Sequence, residues 1–127
     1  MSNGRLAASA ALVVVCLAAT AHAGFKYSSL SVVVDQHDRY SYGSLGATRN
    51  NASTQEYIGC SSFGTSAGCE AWAVNGGYVA CWTSDPVMAG VAARLTSDGG
   101  VYFTWDSNGN CTSIATSSYS YYDPKAP

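Results

Sequence analysis

Four cysteines, Cys60, Cys69, Cys81 and Cys111, are spread along a short chain whose fifth, Cys16, sits in an N-terminal leader. No other feature limits the fold as much. An even cysteine count in a small exported chain reads as a disulfide framework. The competing reading is zinc, but zinc sites usually contain a Cys-x-x-Cys pair, and none is present. No metal and no cofactor are expected, and no catalytic thiol remains if all four are bridged.

Export is read from the first 23 residues. Arg5 supplies a positive charge, Leu6 to Thr20 is an uncharged apolar run, and Ala21-His22-Ala23 is a small-residue cleavage signature. That order describes a secretory signal peptide. The run is shorter than the ~20 residues that span a bilayer, so no membrane attachment is expected after cleavage. Val14-Val15 before Cys16 do not suit a lipidation site. The expected location is extracellular or periplasmic.

Composition narrows the partner. Charged residues are 11% and aromatic residues 12%, with nine Tyr and three Trp. Low charge excludes a coiled coil and a disordered polyampholyte. The net charge is −2, and loss of Arg5 makes it more negative, which argues against a nucleic-acid partner.

The expected organisation is a signal peptide at 1–23, a strand-and-loop arm at 24–53, an antiparallel β core at 54–118 and a Tyr/Pro-rich tail at 119–127. The arm holds one apolar run, Leu30 to Val34, and 43–53 reads as loop. Beyond it, short β-prone runs alternate with Gly/Asn/Ser/Asp clusters. Strands are expected near 54–63, 68–74, 77–83, 100–106 and 111–118. The fold class is thus mainly β: an antiparallel sheet or small sandwich of about five to seven strands, with two disulfides. One short helix is expected from Pro86 to Leu95, capped by Asp85, with an apolar stripe of Val87, Val91 and Leu95 facing the sheet.

Turn placement sets the register. Centring the first hairpin between Gly64 and Thr65 puts Cys60 opposite Cys69 and Tyr57 opposite Trp72. A three-residue loop at Asn75-Gly76-Gly77 puts Val74 opposite Tyr78, Trp72 opposite Ala80 and Glu70 opposite Trp82. One face then carries Ile58, Cys60, Cys69, Ala71, Ala73, Val79 and Cys81. The other carries Tyr57, Phe63, Trp72, Val74, Tyr78 and Trp82. The facing favours Cys60 with Cys69, leaving Cys81 with Cys111. Chain entropy gives these bridges about 2.7 and about 3.7 kcal/mol.

Chemistry is thinly supplied. After the leader, His37 is the one histidine, within Asp35-Gln36-His37-Asp38-Arg39, and this reads as a solvated turn. Small secreted guanyl-type ribonucleases are similar in composition, without a shared motif. Such an activity would need His37 with Glu56 or Glu70, plus Arg94. Glu56, Glu70, Asp85 and Asp106 do not mark out a glycosidase pair. Asp106-Ser107-Asn108-Gly109-Asn110 has oxygen ligands for calcium, but an Asn-Gly hairpin turn explains it better. No catalytic residue is assigned, and the chain is expected not to be an enzyme.

Binding is better supported. Tyr57, Trp72, Tyr78 and Trp82 would form an aromatic strip able to stack on sugar rings or peptide side chains. Set beside this, the first reading of the strip is that it is core, covered by Leu30 to Val34, since large exposed apolar patches are rare; an exposed platform is the second. The expected role is a surface-binding module for a glycan or a secreted protein. An inhibitor of secreted hydrolases, acting through the loop Gly64 to Gly68, is the second reading. Ile58-Gly59-Cys60, Phe103-Thr104-Trp105-Asp106, Gly109-Asn110-Cys111 and Pro124-Lys125-Ala126-Pro127 make the stretch from Tyr57 onward resemble small exported bacterial four-cysteine proteins of unknown function. That resemblance implies no activity.

Overall fold

A computed structural model describes residues 31–124; the expected signal peptide, the start of the arm and the end of the tail lie outside the described residues. In chain order the elements are β1 (Val33–Asp35), β2 (Tyr40–Ser44), α1 (Leu45–Asn50), β3 (Tyr57–Ser62), β4 (Ala67–Ala73), β5 (Gly77–Thr83), α2 (Pro86–Ala92), β6 (Gly100–Trp105) and β7 (Cys111–Ser117). The strands pair antiparallel in two sheets, ordered β1-β2-β6-β7 and β3-β4-β5. This is the expected mainly β class, with a second short helix added.

The inner faces of both sheets, with α2, enclose one core. The three-stranded sheet contributes small side chains: Ile58, Ala67, Cys69, Ala71, Ala73, Val79 and Cys81. The bulk comes from opposite, where Val101, Phe103, Trp105 and Ile114 meet them. Small against large lets the layers approach to interior packing density. Val32 and Val34 join this core. Val32 and Val34 therefore lie on the cysteine-bearing side of the sheet, and the aromatic face, expected as core beneath the arm, is bare instead.

Both expected disulfides are present, Cys60–Cys69 and Cys81–Cys111. The first staples facing residues of β3 and β4. The second ties β5 to β7, and so one sheet to the other.

Three expectations are corrected. The region expected as loop at 43–53 contains the end of β2 and all of α1. In β2 the tyrosines point outward while Ser41 and Ser44 are buried, so hydrophobic alternation runs backwards there. Each buried hydroxyl is satisfied: Ser41 Oγ donates to the Val33 carbonyl, and Ser44 Oγ accepts from Ala47 N–H as the cap of α1. Second, α2 stops at Ala92, and its buried residues are Ala89 and Ala92. Val87 of the expected stripe is 73% exposed. Only the alanines are small enough to sit directly on the core; Val91 and Leu95 pack at its margin. Asp85 caps the helix as expected, accepting from Val87 N–H at 2.7 Å.

Third, the β4–β5 register differs by two residues. Trp72 faces Tyr78, Glu70 faces Ala80 and Cys69 faces Cys81. The loop residues are Val74, Asn75 and Gly76, because Gly77 takes the left-handed conformation, φ 73°, that closes a three-residue hairpin. A shift of two preserves the faces, so the division into small inner and aromatic outer residues stands. The tail also folds back: Tyr122 OH and Ser117 Oγ are 2.7 Å apart, and Asn50 Nδ2 donates to the Pro124 carbonyl at 2.8 Å.

Candidate functional site

The outer face of the three-stranded sheet is built from rows of facing residues. The first row is Tyr57, Trp72 and Tyr78; the second is Gly59, Glu70 and Ala80; the third is Ser61, Gly68 and Trp82. At a strand rise of ~3.4 Å per residue, the first and third rows stand roughly 13–14 Å apart. Between them the middle row raises one long side chain, Glu70. The result is a shallow hollow of about 430 Å³, its floor formed by Gly59, Gly68 and Ala80 and its walls by Tyr57, Phe63 and Trp82.

Each wall has a local cause. Trp82 lies over Gly68, where an added Cβ would come within 2.9 Å of the ring atom Cε3. Glycine at 68 is therefore what lets the indole lie down on the sheet. Phe63 packs on Trp82 with ring centroids 5.5 Å apart. On the opposite side, Tyr78 OH donates to Glu70 Oε2 at 3.3 Å. Partial burial, then the neighbouring Glu70 charge, pushes the Tyr78 phenol upward from its ordinary value. The phenol stays neutral and keeps its proton for that bond.

The rings stand in solvent: Tyr57 is 42%, Tyr78 52%, Trp82 49% and Phe63 64% exposed, while Trp72 is half-buried at the centre of its row. The four residues expected as a binding strip thus share one open face, with Trp72 and Tyr78 in the row beside Tyr57 and Trp82 across the hollow. Glu70 was expected only as a possible acid. The expected register set it opposite Trp82 and concealed the gap between the aromatic rows.

β3, β4 and β5 carry no Lys, Arg or His. Among the described residues, Glu70 has no cationic partner. Glu56 and Asp106, by contrast, are engaged in local structure. Glu56 accepts from Asn51 Nδ2 and from Val74 N–H. Asp106 accepts from Asn108 N–H, Asn110 N–H and Asn110 Nδ2, and these bonds hold its carboxyl below the ordinary value. That is the hairpin-turn reading of the Asn-Gly segment. Among the described residues no group of three or more His, Cys, Asp or Glu could hold a metal ion.

His37 stands in a turn whose His37 and Asp38 N–H groups donate to Asp35 Oδ1, and its side chain is 95% exposed. Of the residues His37, Glu56, Glu70 and Arg94, Glu70 alone lines the hollow. The opposite outer face of the molecule carries a second aromatic group, Tyr40 stacked near Tyr42 and Tyr102 at 6.1 and 6.3 Å. Compared with family models, curated proteins and solved structures, the chain matches none.

Proposed function

We propose that the chain is an exported binding module, without catalytic activity, that holds a glycan on the outer face of the β3-β4-β5 sheet. The observation that carries this reading is the pair of exposed aromatic walls, Tyr57 and Phe63/Trp82, facing each other across a glycine and alanine floor. Sugar rings present flat C–H faces that stack on aromatic rings, while their hydroxyls need polar partners at the ring edge. Glu70, Tyr78 OH and Ser61 supply such partners on the same face. The floor is stiff, since the Cys60–Cys69 bridge spans the same two strands from behind. A preformed surface loses little freedom when it binds.

Export is supported by the leader and by the pairing of all four remaining cysteines. The non-catalytic reading is supported by His37 standing in a solvated turn apart from the hollow. The test is a glycan array probed with the chain from Gly24 onward, followed by Trp82→Ala. The variant should melt like the parent and lose at least about ten-fold in affinity, or roughly 1.4 kcal/mol. An array with no bound glycan would sink the reading.

A further inference from the structure

Resting on that glycan reading, we infer that the hollow selects a sugar bearing a free, protonated amine over neutral or N-acetylated sugars. Glu70 is the middle residue of the middle row, flanked by Gly59 and Ala80, so no neighbouring side chain in its row shields the carboxylate from a ligand on the floor. Its one bonded neighbour is Tyr78 OH, a neutral donor, and no cation balances it among the described residues. Tyr57, Phe63 and Trp82 line the same hollow as that charge.

A carboxylate in a hollow lined by aromatic side chains is complementary to an ammonium group. The carboxylate offers an ion pair, and the rings attract the same cation through their quadrupoles. A neutral hydroxyl would gain only an ordinary hydrogen bond there. An N-acetylated amine has lost its charge and gained bulk. The occupant that uses the rings for stacking and the carboxylate for charge is therefore an amino sugar in an extended chain, such as β-linked glucosamine with free amines.

The probes are glucosamine hexamer, its fully N-acetylated counterpart, a neutral glucose hexamer of the same linkage and a lysine hexamer, each titrated at low salt. The glucosamine hexamer should bind roughly five- to thirty-fold more tightly than either other sugar, the range expected for an exposed ion pair with a cation–π contact. The preference should shrink as salt is raised. Glu70→Gln keeps the shape and removes the charge, so it should make the three sugars bind alike without moving the melting midpoint. Asp38→Asn, which removes a charge from the exposed β1–β2 turn, should leave the preference intact. Trp82→Ala should weaken all three sugars.

Equal binding of the three sugars by the parent protein would overturn this inference and leave the glycan reading standing. Binding of none would remove both. A preference that survives Glu70→Gln, or that falls as much in Asp38→Asn, would show bulk charge attraction and overturn the assignment. A lysine hexamer bound as tightly as the glucosamine hexamer would overturn it in favour of a basic peptide.

Discussion

A single carboxylate organises the turn between β6 and β7. Asp106 receives two backbone N–H groups and the Asn110 amide, at 2.8 to 2.9 Å. Side-chain and backbone bonds from Asn110 hold its carboxyl below the ordinary 3.8. The folded chain therefore keeps this negative charge to lower pH than the unfolded chain does. Where the unfolded form binds the extra proton, stability rises with pH. The contribution is complete above the ordinary carboxylate value and disappears as pH falls through the lowered one. Asp106→Asn should accordingly lose less in melting temperature than the parent between about pH 5 and about pH 2. Parallel melting curves for the two proteins across that range would refute the assignment. The turn itself was legible from Asn108-Gly109, because an Asn-Gly pair between two β-prone runs specifies a hairpin before any contact is known.

Among the elements, the β4–β5 hairpin determines the shape of the site. Gly77 sits at φ 73°, and a Cβ there would meet nothing within 4 Å. The cost of Gly77→Ala is therefore one of backbone conformation alone, about 1–2 kcal/mol. In a domain of this size that is a drop of roughly 4–16 °C in melting midpoint. Gly77→Asn should lose less, since asparagine tolerates the left-handed region better. Equal losses for the two would mean that the loop had shifted register instead. The same hairpin shows what the sequence disclosed and what it withheld. The alternation of small and aromatic residues from Ile58 to Trp82 identified both faces, and the placement of the Gly64-Thr65 turn identified the Cys60–Cys69 pairing. It did not identify which glycine of Gly76-Gly77 closes the turn, and so it hid the hollow around Glu70. In β2, Tyr40-Ser41-Tyr42 inverts the usual pattern, with buried serines whose partners, the Val33 carbonyl and the Ala47 N–H, become visible only in three dimensions. The short α1 is hidden for the same reason, as one orphan donor of its first turn, Ala47 N–H, is met by buried Ser44.

Across the whole molecule, the three-stranded sheet keeps its small residues inside and its rings outside, and the disulfides help hold so thin a layer in place. Cys60, Cys69 and Cys81 stand abreast on β3, β4 and β5, with Cys69 in register with both neighbours. Cys81 is occupied by Cys111 of the other sheet. Beside that bridge, Trp82 N–H donates to the Gly109 carbonyl at 3.0 Å. The chain-entropy model makes the longer loop worth about 1 kcal/mol more than the shorter. Cys81→Ala with Cys111→Ala should thus lower stability by about that much more than Cys60→Ala with Cys69→Ala. Cys111→Ser alone poses a sharper question, because it frees Cys81 next to a disulfide. The Cys81 thiolate can attack Cys69 Sγ, forming a Cys69–Cys81 bond and releasing Cys60 as the thiolate. The register gives Cys69 a facing partner on either side, so neither pairing requires the strands to slide. Alkylation of Cys111→Ser under non-reducing conditions, followed by peptide mapping, should find the label divided between Cys60 and Cys81. Label confined to Cys81 would show that the Cys60–Cys69 bridge resists its neighbour, and that the row of three cysteines does not exchange partners.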